Sequence, residues 1–166
     1  MDGASRPPIR RGGPMMRSDS SVDLAAPVAS IEPLVSDLAR YPEWMPLVVE
    51  ATPDGEGLWR VELRARVGLF ARSKRLRMRR TVADAGRWVF ERDEDDGRHH
   101  AVWRLEARVE PLTRGAVSGH TVPGHTRVTM VLEYGGSLWT GGILDRVLAS
   151  QIDAGKEGLA RLVGPG

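Results

Sequence analysis

With 166 residues, 41% of them hydrophobic and 28% charged, the chain has enough apolar material for one core and is the length of a single domain. No apolar run approaches the ~18 residues of a membrane span. Met1 to Arg17 lacks the apolar stretch of a secretory leader, and the lack of cysteine excludes disulfides, thiolate metal ligands and a thiol nucleophile, so a cytoplasmic protein is expected. The net charge of +2 is unevenly placed: residues 1–17 hold Arg6, Arg10, Arg11 and Arg17 against Asp2, a net of +3, which leaves −1 for residues 18–166. The expected folded part is therefore close to neutral, and the overall basicity is no argument for nucleic-acid binding.

Residues 1–17, rich in Arg, Pro and Gly, read as a disordered tail, with Met15 or Met16 as an alternative start, and residues 18–166 read as one domain. Ser20 to Ala26 alternates with Val22, Leu24 and Ala26 on one face, a first strand. Ser30 then offers an N-cap to a helix carrying Ile31, Leu34, Val35 and Leu38 at helical spacing. Pro33 falls in that helix's first turn, and the helix runs to about Arg40, before Pro42. Arg40-Tyr41-Pro42-Glu43-Trp44-Met45-Pro46 cannot continue a helix or a central strand, and so holds Trp44 and Met45 on a kinked connector.

Leu47 to Ala51 reads as a second strand, closed by Pro53-Asp54-Gly55. Trp59, Val61, Leu63, Ala65 and Val67 share one face against Arg60, Glu62, Arg64 and Arg66; beyond Gly68, Leu76 and Met78 share a face against Arg75, Arg77 and Arg79. Trp88 and Phe90 mark the next strand, ended by the acidic turn Asp93 to Gly97. Ala101, Trp103, Leu105, Ala107 and Val109 mark another. After a loop rich in Gly, Pro and His come Val128, Met130, Leu132 and Tyr134. Such alternation means an antiparallel sheet with one wet face and one covered face. The cover is a helix from about Leu138 to Val163, opened by Gly141-Gly142, whose stripe is Leu144, Val147, Leu148, Ile152, Gly155, Leu159 and Leu162. Gly155 and Gly158 weaken it by up to ~1 kcal/mol each relative to Ala, which fits a bend or a close approach to the sheet. The class is α+β: seven antiparallel strands around a long C-terminal helix, with one or two short helices after the first strand.

Val22-Asp23-Leu24-Ala25-Ala26-Pro27, Leu34-Val35-Ser36-Asp37-Leu38, Tyr41-Pro42-Glu43-Trp44-Met45-Pro46 and Arg127-Val128-Thr129-Met130, followed by the glycine-containing helix, resemble the START-related SRPBCC superfamily. This superfamily includes polyketide cyclases/dehydrases, coenzyme-Q-binding proteins and birch-pollen-allergen-like proteins. The resemblance spans roughly Ser18 to Val163. It implies a helix-grip fold with an apolar cavity between sheet and last helix, Trp44 and Met45 at its mouth, and a hydrophobic small-molecule ligand such as a lipid, isoprenoid or polyketide. Because this fold hosts carriers, cyclases and regulators, function has to come from the site.

The inward positions Trp59, Val61, Leu63, Met78, Phe90, Trp103, Leu105, Met130 and Tyr134, with Leu148 and Ile152 of the helix, are the candidate ligand wall, each with ordinary core packing as the plainer reading. Trp44 is either part of a rim or a plug at the junction of helix and sheet. Strict alternation puts Arg80 inside with Val82, where it would grip an anionic ligand group, unless a bulge at Arg79-Arg80 switches faces or its head snorkels to water. Arg80, Tyr134 and His99 are the weak catalytic candidates should the chain be an aromatase/cyclase or dehydratase acting by positioning and proton transfer. His99-His100 fall on one strand, and Gly119-His120-Thr121 and Gly124-His125-Thr126 in one loop, a spacing that does not assemble a metal site, so neither metal nor cofactor is expected. The run from Arg60 to Arg80 holds nine cationic residues and one acid, Glu62. It reads either as a solvated face neutralised by neighbours such as Glu91 and Glu106, or as a surface for an acyl carrier protein, RNA or an anionic membrane.

Overall fold

The alternating segments form strands because each supplies an apolar row to one side of a pleated ribbon and a charged row to the other. The computed structural model describes residues 15–114, 120–135 and 143–164. The strands are β1 (Met15–Leu24), β2 (Val48–Pro53), β3 (Leu58–Val67), β4 (Phe70–Asp84), β5 (Arg87–Arg92), β6 (Trp103–Arg114) and β7 (His120–Gly135). They make one antiparallel sheet in the order β1-β7-β6-β5-β4-β3-β2. The two edge strands, β1 and β2, are consecutive in the chain, so the segment between them crosses from one edge to the other. That segment holds α1 (Val28–Val35) and a 3₁₀ turn, Leu38–Glu43; α2 (Ile143–Val163) follows β7. Among the described residues no helix is long and apolar enough to cross a membrane.

Several expected boundaries move, each for a local reason. β1 begins at Met15 because Met15 to Arg17 still find partners on β7, so the fold starts inside the expected tail. The rest of that tail, residues 1–14, lies outside the described residues. α1 starts two residues before Ser30: Pro27, at φ −69° and ψ 151°, sets its entry and Ser30 N–H donates to the Pro27 carbonyl, so Ser30 is no N-cap. Pro33 therefore sits in the second turn, where its missing N–H shortens the helix. The expected run to Arg40 breaks at Ser36-Asp37. There the Asp37 carboxylate accepts from Ala39 N–H (2.9 Å) and opens a 3₁₀ turn that passes through Pro42.

Downstream, residues 99–102 are irregular, so His99, His100 and Ala101 precede β6 instead of riding on it. Of the Gly/Pro/His stretch expected as a loop, residues 115–119 lie outside the described residues, and from His120 on it is instead the start of β7, which pairs with β6 at Thr113↔Thr121 and Arg114↔His120. In β4 the register slips between Arg80 and Val82. Arg80 stays opposite inward Phe90, while Val82 lands opposite outward Val89 and so switches face. Leu138 and Gly141-Gly142 lie outside the described residues, as does the side chain of Leu144. On α2, Leu148, Ile152 and Leu159 are buried, whereas Leu162 is 47% exposed and leaves the expected stripe.

The two helix glycines explain how α2 is seated. A Cβ on Gly158 would lie 2.2 Å from the Trp44 carbonyl oxygen, and one on Gly155 would lie 2.8 Å from Met45 Sδ. The close approach anticipated from these glycines is thus to the Trp44-Met45 connector, not to the sheet.

The candidate ligand cavity

The connector is fixed from beneath by hydrogen bonds that its own aromatic residues donate. Tyr41 is fully buried and its hydroxyl donates to the Val35 carbonyl (3.0 Å), while Trp44 Nε1 donates to the Leu34 carbonyl (3.1 Å). Both carbonyls belong to the last turn of α1, so these bonds satisfy helix-end acceptors that would otherwise be bare. Burial, with a smaller push from the Asp37 charge, raises the Tyr41 hydroxyl far above its ordinary range and keeps it protonated. Trp59 Nε1 donates to Asp37 Oδ1 (3.0 Å), tying β3 to the same junction. Tyr41, Trp44, Trp59 and Phe90 stack into one aromatic cluster, with ring centroids 4.6 to 6.2 Å apart in successive contacts.

Beside this cluster lies a cavity of about 60 Å³. Its sheet wall is Val61 and Leu63 of β3, Leu76 and Met78 of β4, Trp103 and Leu105 of β6, and Met130 and Leu132 of β7. Its other wall is Leu38, Tyr41, Met45, Leu47 and Val48 around the connector, with Ile152 of α2. The lining is almost wholly apolar. Three of the chain's six methionines, Met45, Met78 and Met130, take part.

Of the sequence-derived ligand residues, Met45, Val61, Leu63, Met78, Trp103, Leu105, Met130 and Ile152 meet around this space. Trp44, Trp59, Phe90, Tyr134 and Leu148 are buried but do not line it. Trp44 sits between α1 and α2, its indole on the Leu34 carbonyl and its backbone against Gly158. Arg80 is inside the sheet, as alternation required, yet it does not face the cavity. Its Nη1 donates to the Ser36 carbonyl at the end of α1 (3.1 Å), and its guanidinium lies 5.7 Å from the Trp59 ring centroid.

His99 is exposed in the segment before β6, and Tyr134 packs against Trp103 with centroids 5.6 Å apart. The three catalytic candidates thus lie at separate places and do not converge. Among the described residues no three His, Cys, Asp or Glu side chains group to hold a metal ion.

Sequence reasoning missed Leu38, Tyr41, Leu47, Val48, Leu76 and Leu132 as wall residues. The first four flank or form the connector: Leu38 reads as a helix-stripe residue, Tyr41 has no period to reveal it, and Leu47 and Val48 begin a strand too short to declare its face. Leu76 and Leu132 stood in the right apolar rows and needed only the three-dimensional neighbourhood to be singled out.

The outer face answers the question raised by the basic run. Arg60 and Arg77 pair with Asp54, Arg64 and Arg75 with Glu62, and Arg79 with Asp93. Arg77 also lies within 3.9 Å of both Asp93 and Asp95. Acids from the neighbouring turns and strands thus pair with five of the nine cations of the run, Arg60, Arg64, Arg75, Arg77 and Arg79.

The sequence pattern of the family described as polyketide cyclase / dehydrase and lipid transport matches residues 15–164. The chain belongs to this family. Solved structures agree on its START-like helix-grip fold. A START superfamily protein from Mycobacterium smegmatis is similar with a TM-score of 0.66 at 16% identity, over 89% of this chain and 96% of that one. The Zhui aromatase/cyclase from Streptomyces sp. R1128 is similar with a TM-score of 0.61 at 15% identity, over 90% and 93%. The di-domain aromatase/cyclase BexL of the BE-7585A biosynthetic pathway is similar with a TM-score of 0.56 at 19% identity, over 88% of this chain and 45% of that one. No curated protein sequence matches significantly. At such identities the likeness is one of fold, and within the polyketide cyclase/dehydrase and lipid transport family it leaves the activity to be argued from the cavity.

Proposed function

We propose that this protein binds a small hydrophobic molecule in the cavity between sheet and α2, and holds it without covalent chemistry. The observation that carries the reading is the cavity itself: an internal space walled mainly by aliphatic residues, three methionines and the rings of Tyr41 and Trp103. A well-packed core has little reason to leave such a space. Its present size, about 60 Å³, is below the ~150 Å³ that accepts a benzene-sized guest, so the wall must yield on binding. Methionine suits that demand, because an unbranched thioether changes rotamer at little cost. The scattered positions of Arg80, Tyr134 and His99 support binding over an aromatase/cyclase reaction, which needs a proton donor or acceptor next to its substrate.

The test uses the purified full chain and the neutral fluorophore N-phenyl-1-naphthylamine. The wild type is expected to bind it with a blue-shifted, enhanced emission. Ile152→Phe and Val61→Phe, which fill the space from opposite walls, are each expected to weaken binding about tenfold or more, while overpacking costs about 1–3 kcal/mol of stability. Unchanged affinity in both variants, with the far-ultraviolet circular dichroism of the wild type retained, would remove the cavity as the binding site.

A further inference from the structure

Three of the buried polar side chains around the cavity spend their hydrogens inside the protein: Tyr41 on Val35, Trp44 on Leu34 and Trp59 on Asp37. Trp103 does not. It is only 9% exposed, it forms part of the cavity wall, and its indole Nε1–H meets no acceptor among the described residues. Buried donors are nearly always satisfied, and one that is bare needs a reason. An indole N–H can only donate, so whatever satisfies it must present an acceptor. Trp103 also borders an open polar cleft, lined by Glu91, Arg92, Asp93, Glu94, Arg98 and His100, so it joins the apolar cavity to a polar surface.

Lys74 stands at the same place. It pairs in register with Leu63, a cavity-wall residue, so it belongs to the inner row that continues through Leu76 and Met78. Its Nζ lies 5.2 Å from the Trp103 ring centroid. Partial burial holds this ammonium below the ordinary lysine range, the charge of Arg92 adds to the effect, and Glu94 opposes it. Glu94 itself is taken by Arg92 at 2.6 Å, and no carboxylate among the described residues forms an ion pair with Lys74. The Trp103 end of the cavity therefore combines an unsatisfied N–H with an ammonium that has no ion-pair partner among the described residues.

We propose that Trp103 and Lys74 form a head-group subsite, and that the ligand of this cavity is an apolar molecule ending in a carboxylate. This inference rests on the binding function proposed above. The tail would occupy the space between Met45, Met78 and Ile152, and the carboxylate would accept from the Trp103 indole and the Lys74 ammonium. A single carboxylate matches the one ammonium that stands against the Trp103 ring. A phosphate head would bring nearly twice that charge to a site where Arg92 already has its acid and where Glu91, Asp93 and Glu94 line the adjoining cleft. A neutral hydroxyl or ester would satisfy the indole and leave the ammonium desolvated without a partner.

Displacement of N-phenyl-1-naphthylamine by decanoate, decanol and methyl decanoate tests this on the wild type, Lys74→Met and Trp103→Phe. In the wild type, decanoate is expected to compete at concentrations about tenfold below those of decanol or the ester, the scale of one charge-assisted hydrogen bond. Lys74→Met should bring decanoate to the level of decanol, each displacement being scaled to that variant's own affinity for the neutral fluorophore. Trp103→Phe, which keeps the ring and removes the N–H, should weaken all three competitors by about fivefold, the scale of one neutral hydrogen bond. Equal competition by the three heads in the wild type, or a decanoate preference that survives Lys74→Met, would overturn the head-group subsite while leaving the cavity reading intact. Failure of the fluorophore to bind the wild type at all would overturn both.

Discussion

Gly158→Val is expected to lower the melting temperature by about 6–12 °C, the counterpart of roughly 3 kcal/mol in a domain of this size. Alanine's Cβ alone would already stand 2.2 Å from the Trp44 carbonyl oxygen and 3.0 Å from its carbon. Those are backbone atoms, held by Trp44 N–H donating to the Tyr41 carbonyl (3.1 Å) and by the Trp44 indole on Leu34, so the connector has no cheap way to retreat. The alternative is for α2 to lift off, which would uncover Leu148, Ile152 and Leu159 together.

Gly155→Ala supplies the contrast. Its Cβ would crowd the Sδ and Cε of Met45 (2.8 and 2.9 Å), the far end of a flexible side chain, and would meet Trp44 Cζ3 at an ordinary 3.7 Å. The ~1 kcal/mol gained from helix propensity should offset much of that contact, leaving the melting temperature within about 2 °C of wild type. The displaced thioether has the cavity beside it, so fluorophore affinity is expected to fall even though stability does not. Calorimetry on the two variants decides the matter. A Gly158→Val protein that melts with the wild type would mean that α2 is not seated on Trp44.

How much of this was readable beforehand depends on whether a residue's role is written in a period. Trp59, Val61 and Leu63 declare their face by alternation, because a strand buried on one side leaves no other pattern. The sheet and six cavity residues follow from that signal, and the covering helix with Ile152 follows from helical spacing. The connector has no period, so Tyr41 gives no signal of its role, while Leu38 reads only as part of a helix stripe and Leu47 and Val48 only as the start of a strand. Asp37 looked like a helix residue and is instead a cap, because its side chain offers the backbone a competing acceptor, a choice made by local dihedrals that a stripe count cannot see. Arg80 was placed on the correct face, but its partner, a helix-end carbonyl 44 residues away in sequence, is a tertiary fact. Lys74 was missed for a different reason: the inner stripe was begun at Leu76. Carrying the same two-residue step back one position would have put a lysine inside.

Glu106→Gln is the second large effect, and it concerns the face expected to be wet. Val89, Glu106 and Val131 face one another across β5, β6 and β7 on that outer side, and they are only 1%, 3% and 3% exposed. Glu106 survives burial because it accepts from three arginines: Arg87 through Nε and Nη2 (3.1 and 3.3 Å), Arg104 (2.7 Å) and Arg108. The stems of these arginines also help to keep water off the row. The Arg87 hydrogen bonds above all, then those from Arg104 and Arg108, bring the carboxyl down to about 2 from its ordinary 4.5, against the opposing effect of burial. A group whose folded value lies below its unfolded one stabilises the fold at every pH above about 4.5, and that contribution drains away as pH falls from there toward 2.

Because the arginine heads remain partly in water, the share belonging to Glu106 is about 1–2 kcal/mol after screening, not the full value of the shift. Gln keeps the shape and removes the charge, and its amide NH₂ must face arginine donors, so the variant should lose about 2–3 kcal/mol at pH 7. Urea unfolding at pH 7, 4 and 3 should show the gap between wild type and Glu106→Gln closing as pH drops. Parallel curves would mean that the carboxylate is not ionised by its arginines. The same three side chains bear on the cavity, since Arg104 lies between Trp103 and Leu105 and also pairs with Glu133 of β7 (3.3 Å). A slackened network on the outer face would loosen the strand that presents both wall residues on the inner one, so fluorophore affinity in Glu106→Gln is expected to fall together with stability.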